Sequence, residues 1–175
     1  NPTDAGGVIR RERRGDRVRS TMSRSADELA VLQKHGAETV FLELQGALAF
    51  ASVDRLIDRV RTLSASAQSI VLDFKRVQMA DSAALQLFEQ MAQAMKSAKT
   101  RIVLSSLDIG ALAPELCERV VQISADASFD LYETADAALE ALEDQILARE
   151  NQVASPLKLA LNQIDLFDGL DAQEL

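Results

Sequence analysis

The sequence predicts an α/β fold, a mixed and mostly parallel sheet flanked by helices. Three observations carry this expectation. Short apolar runs rich in β-branched residues alternate with longer segments whose apolar residues recur at i, i+3, i+4 and i+7. Two of those runs, SIVLDF at 69–74 and RIVLSSL at 101–107, are almost continuously apolar, as strands covered on both faces must be. Strand and helix follow one another in turn, which favours parallel strands joined by helical crossovers.

Taken in order, NPTDAGGVIRRERRGD (1–16) lacks periodicity and is rich in Gly and Arg, so it reads as a basic linker. RVRSTMS (17–23) is expected to form a short edge strand. Ser25 and Glu28 have the spacing of a capping box, and Gly36 follows as the stop of that first helix. His35 falls in its last turn, where a cation suits the helix dipole. ETVFLELQGALAF reads as a strand, with Gly46 at its bend or end. Val53, Leu56, Ile57, Val60 and Leu63 then repeat at helical spacing, with Asp54, Arg55, Asp58 and Arg59 opposite. After the 69–74 strand, MADSAALQLF opens a helix that buries Ala84, Leu87, Phe88, Met91 and Met95, with Asp81 or Ser82 as its cap. A helix starts between Asp108 and Pro114, since Pro fits a first turn. VVQIS (120–124) is expected to be a strand. Thr134 caps a last helix with Ala135, Ala138, Leu139, Leu142 and Ile146 on its inner face. The pattern changes after NQVAS (151–155), so 151–175 reads as a linker and the cut-off start of another domain.

Charge divides the chain. Residues 1–24 hold seven Arg against Asp4, Glu12 and Asp16, a net of +4, which leaves −12 for the remainder of a chain whose total is −8. An acidic body repels phosphates at long range, and with no Trp and one Tyr (Tyr132) there is no platform for base stacking; no nucleic acid partner is expected. The Arg-rich lead-in, through Arg10, Arg11, Arg13 and Arg14, has two readings: a solvated tether, or a segment drawn to anionic lipid. One cysteine, Cys117, rules out an intramolecular disulfide and fits a reducing compartment. No stretch reaches the roughly 18 apolar residues of a membrane span.

Catalytic chemistry is not expected. A Ser nucleophile needs a base within hydrogen-bond reach, and the single histidine, His35, lies far from Ser82 in sequence. A G-x-S-x-G elbow, a phosphate loop and zinc-ligand sets are all missing, so no metal and no cofactor is expected. In an open α/β sheet, ligands gather at the carboxyl ends of strands. That places Asp81 and Ser82, the turn at Phe50–Ser52, and the strand end at Ser105 and Ser106 together as the candidate ligand or regulatory loops. Helix N-termini there could hold an anion or a nucleotide phosphate, or could simply be capped.

The pieces LELQGALAFAS, IVLDFKRVQMADSAALQLF and RIVLSSL, in this order of strands and helices, resemble the STAS domain over about residues 17–150. That family includes bacterial anti-sigma factor antagonists (SpoIIAA-like) and the cytoplasmic C-terminal domains of SulP-type anion transporters. In the antagonists the loop before the central helix reads Asp-Ser-Ser/Thr-Gly, with the residue after the first Ser phosphorylated. Here that residue is Ala83 and the Gly is Ala84. The segment NQIDLFDGLDAQEL is similar to the opening helix of cyclic-nucleotide-binding domains, which follow STAS in some bacterial SulP-like transporters. The resemblance therefore implies a regulatory STAS domain on the cytoplasmic side of the bacterial inner membrane. Its partners would be the transmembrane domain of a sulfate or bicarbonate transporter and a second protomer. The alternative it implies is a soluble antagonist-type module that binds a kinase or anti-sigma partner.

Overall fold

The computed structural model describes the backbone of residues 7–79, 81–108 and 112–164. Within these it describes the side chains other than those of Phe50, Met79, Asp81 and residues 153–164. Five strands form one sheet in the order β1-β2-β3-β4-β5: β1 is Ile9–Arg14, β2 Thr39–Leu48, β3 Ser69–Met79, β4 Arg101–Ser105 and β5 Asp130–Tyr132. β1 runs antiparallel to β2, and every other pairing is parallel. The helices are α1 (Ala26–His35), α2 (Phe50–Ser64), α3 (Asp81–Met95), α4 (Pro114–Asp126) and α5 (Ala135–Ile164).

Period-2 alternation sorts the strands between two cores. Val40, Leu42, Leu44, Ile70, Leu72, Ile102 and Leu104 face α2, α3 and α4. Phe41, Val71 and Val103 face Ala138, Leu139 and Leu142 of α5. Consecutive parallel strands with all three crossover helices on one face share a single crossover hand. α1 packs on α5 on the far side.

The capping box of α1 forms as expected, with the Ser25 hydroxyl accepting from Glu28 N and the Ser25 N–H donating to the Glu28 carboxylate at 2.7 Å. Thr134 Oγ1 accepts from Ala137 N at 3.1 Å and starts α5. Gly36 does end α1, but not through a left-handed turn, since its φ is −59°. The reason is contact: a Cβ there would lie 2.7 Å from the backbone of Gly15 and Asp16. Gly46, at φ +78°, bends β2 without ending it.

Three expectations are corrected. The edge strand is not 17–23 but Ile9–Arg14, inside the segment assigned to the linker. Its polar alternation hid it: Glu12 pairs with Arg59 of α2 at 2.7 Å, and Arg10 pairs with Glu43 of β2. VVQIS is not a strand but the second half of α4, where Val120 and Ser124 are buried one turn apart and the exposed Val121 points away. The short strand comes later, at Asp130–Tyr132. The break at 151–155 is also absent, since α5 continues through it to Ile164. Residues 165–175, read as the start of a further domain, lie outside the described residues.

Candidate functional site

The parallel strands β2, β3 and β4 do bring the candidate loops to one end of the sheet, but on two different sides. Ser105 shares the parity of Val103, so its hydroxyl lies on the α5 face, whereas α2 and α3 cover the other. Ser105 is 0% exposed and donates to Asp73 Oδ1 at 3.2 Å. Register makes Asp73 the neighbour of Glu43 on β2 and Ser105 the neighbour of Tyr132 on β5. The result is a polar row, Glu43–Asp73–Ser105–Tyr132, across four strands beneath α5. Arg10 and Arg76 neutralise its Glu43 end, the latter at 3.4 Å. Sequence reasoning missed Asp73. The one available signal was a lone carboxylate inside an apolar run.

The remaining loop residues stand elsewhere. β2 and β3 pair onward to Leu48 and Met79 with no β4 beside them. That is six residues past Asp73, or about 20 Å of strand. Phe50 is the first residue of α2, and its side chain is outside the described set. Ser52, 8% exposed, is spent locally: its Oγ accepts from Ala49 N and donates to Ala49 O, both at 2.8 Å. Asp81 and Ser82 are the first two residues of α3 itself, rather than a cap ahead of it. Ser82 is exposed, whereas Ala83 is 2% exposed and Ala84 0%, both in the core under α3. Ser106 turns the chain out of β4 at φ +56°, with its N–H on Tyr132 O. The sheet and the extended β2–β3 pair therefore separate the candidate residues into two groups: Ser105 on the α5 face, and Ser52 with Ser82 at the helix starts opposite.

Among the described residues, neither Ser52 nor Ser82 is hydrogen-bonded to a side-chain base. The Ser105 hydroxyl is bonded to a carboxylate but closed to any substrate. Cys117, half-buried on α4, is the free thiol. His35 is held between carboxylates, 3.1 Å from Glu38 and 3.4 Å from Glu150, where it joins the end of α1 to α5. Burial works to raise the Glu38 carboxyl, but hydrogen bonds from Arg149 and His35 outweigh it and hold Glu38 below the usual range. Among the described residues, no cluster of three or more His, Cys, Asp or Glu is placed to hold a metal.

A second carboxylate set fastens the segment between β1 and α1. Glu143 of α5, 8% exposed, accepts from Ser20 N at 2.8 Å, Ser20 Oγ at 2.6 Å and the Arg24 guanidinium at 3.2 and 3.3 Å. Asp136 accepts from Thr21 N and Oγ1, both at 2.7 Å. Burial works to lower the Arg24 pKa, but its pairs with Asp144 and Glu143 raise it above the ordinary value.

The mixed five-stranded sheet with helices on both faces is the STAS arrangement, and the sequence matches the STAS domain over residues 29–138. The chain belongs to the STAS domain family. Among characterised proteins it is 27% identical over 133 residues to Glutaminase 2 of Bradyrhizobium diazoefficiens. That match covers 75% of this chain and 21% of the relative, so the chain spans about a fifth of the relative's length. Among solved structures it is similar to the anti-sigma factor antagonist SpoIIAA in its unphosphorylated form, at 19% identity and a TM-score of 0.43 over 61% of this chain and 89% of that one. The phosphorylated form of the Bacillus cell fate determinant SpoIIAA gives 20% identity and a TM-score of 0.44 over 60% and 91%. No residue role follows from these two likenesses.

Proposed function

We propose that the chain is a non-catalytic regulatory and interaction module of a longer protein, acting by contact rather than by chemistry. The observation that carries this reading is the state of the loop hydroxyls. Ser105 is sealed on Asp73, Ser52 is spent on Ala49, and the position where antagonists carry their phosphate is the buried Ala83. Ser82 is the exposed hydroxyl of the loop, in the first turn of a helix whose free N–H groups favour an anion. Asp81, Ser82 and the Phe50–Ser52 turn remain the proposed ligand or regulatory loop.

Two settings have support. The first is the cytoplasmic side of a SulP-type anion transporter, touching the transmembrane domain or a second protomer; it rests on the pieces of sequence that resemble transporter-type STAS domains. Lipid contact contributes little to it. Arg10 is paired with Glu43 and Arg14 donates to Ala37 O at 2.9 Å. The exposed Arg11 and Arg13 are then worth about 2 kcal/mol together at an anionic surface. The second setting is attachment to an enzyme, supported by the match to part of Glutaminase 2. A free-standing antagonist is the runner-up, and the buried aliphatic residue at position 83 counts against its switch.

The test is to express the full reading frame with and without residues 9–164, and to measure anion uptake and glutamine hydrolysis alongside the isolated chain. The reading expects a changed neighbour activity on deletion and no turnover by the chain alone. Unchanged activity on deletion, or glutamine turnover by the chain that Ser82→Ala abolishes, would overturn it.

A further inference from the structure

Among the described residues β1 is the edge strand of the sheet, and the side it presents is strongly charged. Gly15 N donates to Thr39 O at 2.9 Å, which makes Gly15 and Thr39 a hydrogen-bonded pair. The antiparallel ladder alternates, so Arg13/Phe41 and Arg11/Glu43 also exchange bonds, while Glu12 and Arg14 turn their N–H and C=O groups away from β2. The Arg14 carbonyl is taken by Arg17 N and Val18 N. The Glu12 N–H, the Glu12 C=O and the Arg14 N–H are left facing the edge, with no strand beside them among the described residues. A cavity of about 540 Å³ lies along the same segment, lined by Glu12, Arg13, Arg14, Asp16 and Arg17.

The charges around that edge select its partner. Arg11, Arg13 and Arg17 are exposed, and among the described residues none is in an ion pair, unlike Arg10, Arg24 and Arg59. Asp16 sits among them with Oδ1 out of solvent and no hydrogen-bond partner among the described residues. A compact anion would satisfy the arginines but leave the Glu12 C=O at the edge without a donor, and Glu12 itself is already neutralised by Arg59. A second copy of β1 would set arginine against arginine. An extended peptide with acidic side chains answers both demands, since its backbone carries N–H and C=O groups for the edge and its carboxylates meet the arginines.

We propose that the β1 edge is a docking site for an acidic, extended segment of a partner protein, which adds to the sheet as a sixth strand beside β1. This rests on the reading that the module works by contact and names the chemistry of one partner. Because it is tested on the isolated chain, its failure is distinguishable from failure of the deletion experiment.

The probe is a capped eight-residue peptide alternating glutamate and threonine, titrated by fluorescence anisotropy against the full 175-residue chain. Binding is expected, with slowed amide exchange at Glu12 and Arg14. A peptide N-methylated at alternate residues should lose binding at least tenfold, as should the Arg13→Glu/Arg17→Glu double variant, whose side chains are exposed. Equal binding of the methylated peptide would mean charge attraction alone and overturn the proposal, as would the absence of any binding. Two further outcomes would also overturn it: vesicles of 30% phosphatidylserine that protect the same amides, or self-association of the chain that does so without peptide.

Discussion

Glu143→Ala is the substitution from which the structure expects most. Glu143 projects from α5 and closes the connection between β1 and α1 with four hydrogen bonds, from the Ser20 N–H, the Ser20 hydroxyl and two nitrogens of Arg24. Both charged partners are nearly buried, at 9% exposure for the Arg24 side chain and 10% for that of Glu143. Hydrogen bonds to a charged group are worth about 1.5–3 kcal/mol each, and removing one member of a buried pair costs about 3–5 kcal/mol. Arg24 keeps Asp144 at 2.6 Å, which places the loss near the low end, about 3 kcal/mol. For a chain of this size that is a fall of about 6–12 °C in Tm. Urea and thermal unfolding of the variant beside Asp144→Ala give the comparison. Asp144 is 59% exposed, so its loss should cost less than about 1 kcal/mol. Native-state amide exchange should show Ser20 opening early in the Glu143 variant. A Glu143→Ala protein within about 1 kcal/mol of the parent, or an Asp144→Ala protein equally destabilised, would refute the reasoning.

Gly36→Ala should destabilise by about 2 kcal/mol or more in urea unfolding, because its new Cβ meets backbone at 2.7 Å. Its φ of −59° and the better helix propensity of Ala alone would forecast a gain of about 1 kcal/mol, so the sign decides. Ala83→Thr should cost about 1–3 kcal/mol by overpacking a site that is 2% exposed; an unchanged urea midpoint would show the core has room there. Glu38 titrates below its unfolded value, so it adds stability above about pH 4.3 that is lost as pH falls through the folded pKa. Glu38→Gln should therefore flatten stability against pH in the acid range, and an unchanged acid limb would argue against the Arg149 and His35 contacts.

How much of this was legible depends on whether a residue's role was local. The capping box at Ser25 and Glu28, the Thr134 cap and the apolar stripes of α2 and α3 depend on neighbours within one or two turns, so spacing displayed them. VVQIS misled because Val and Ile favour strands. What holds it in α4 is the packing of Val120, Ile123 and Ala127 at helical spacing against the core shared with α3. IRRERR looked like linker because its partners, Glu43 and Arg59, lie 33 and 47 residues away. The candidate site divided for a similar reason. Sequence could bring Ser82 and Ser105 to one end of the sheet, but the parity of β4 set Ser105 on the α5 face and gave its hydroxyl to Asp73.

The sequence by itself determined the order of strands and helices, the parallel crossovers, the caps at Ser25 and Thr134 and the family resemblance, because each is written in periodicity and local chemistry. Tertiary structure alone decided that the arginine-rich start is a strand rather than a tether, that Gly36 is a contact rather than a turn, and that Ala83 is core. Those outcomes depend on which distant residue stands opposite, and pairing across a sheet or between helices leaves no trace in local spacing.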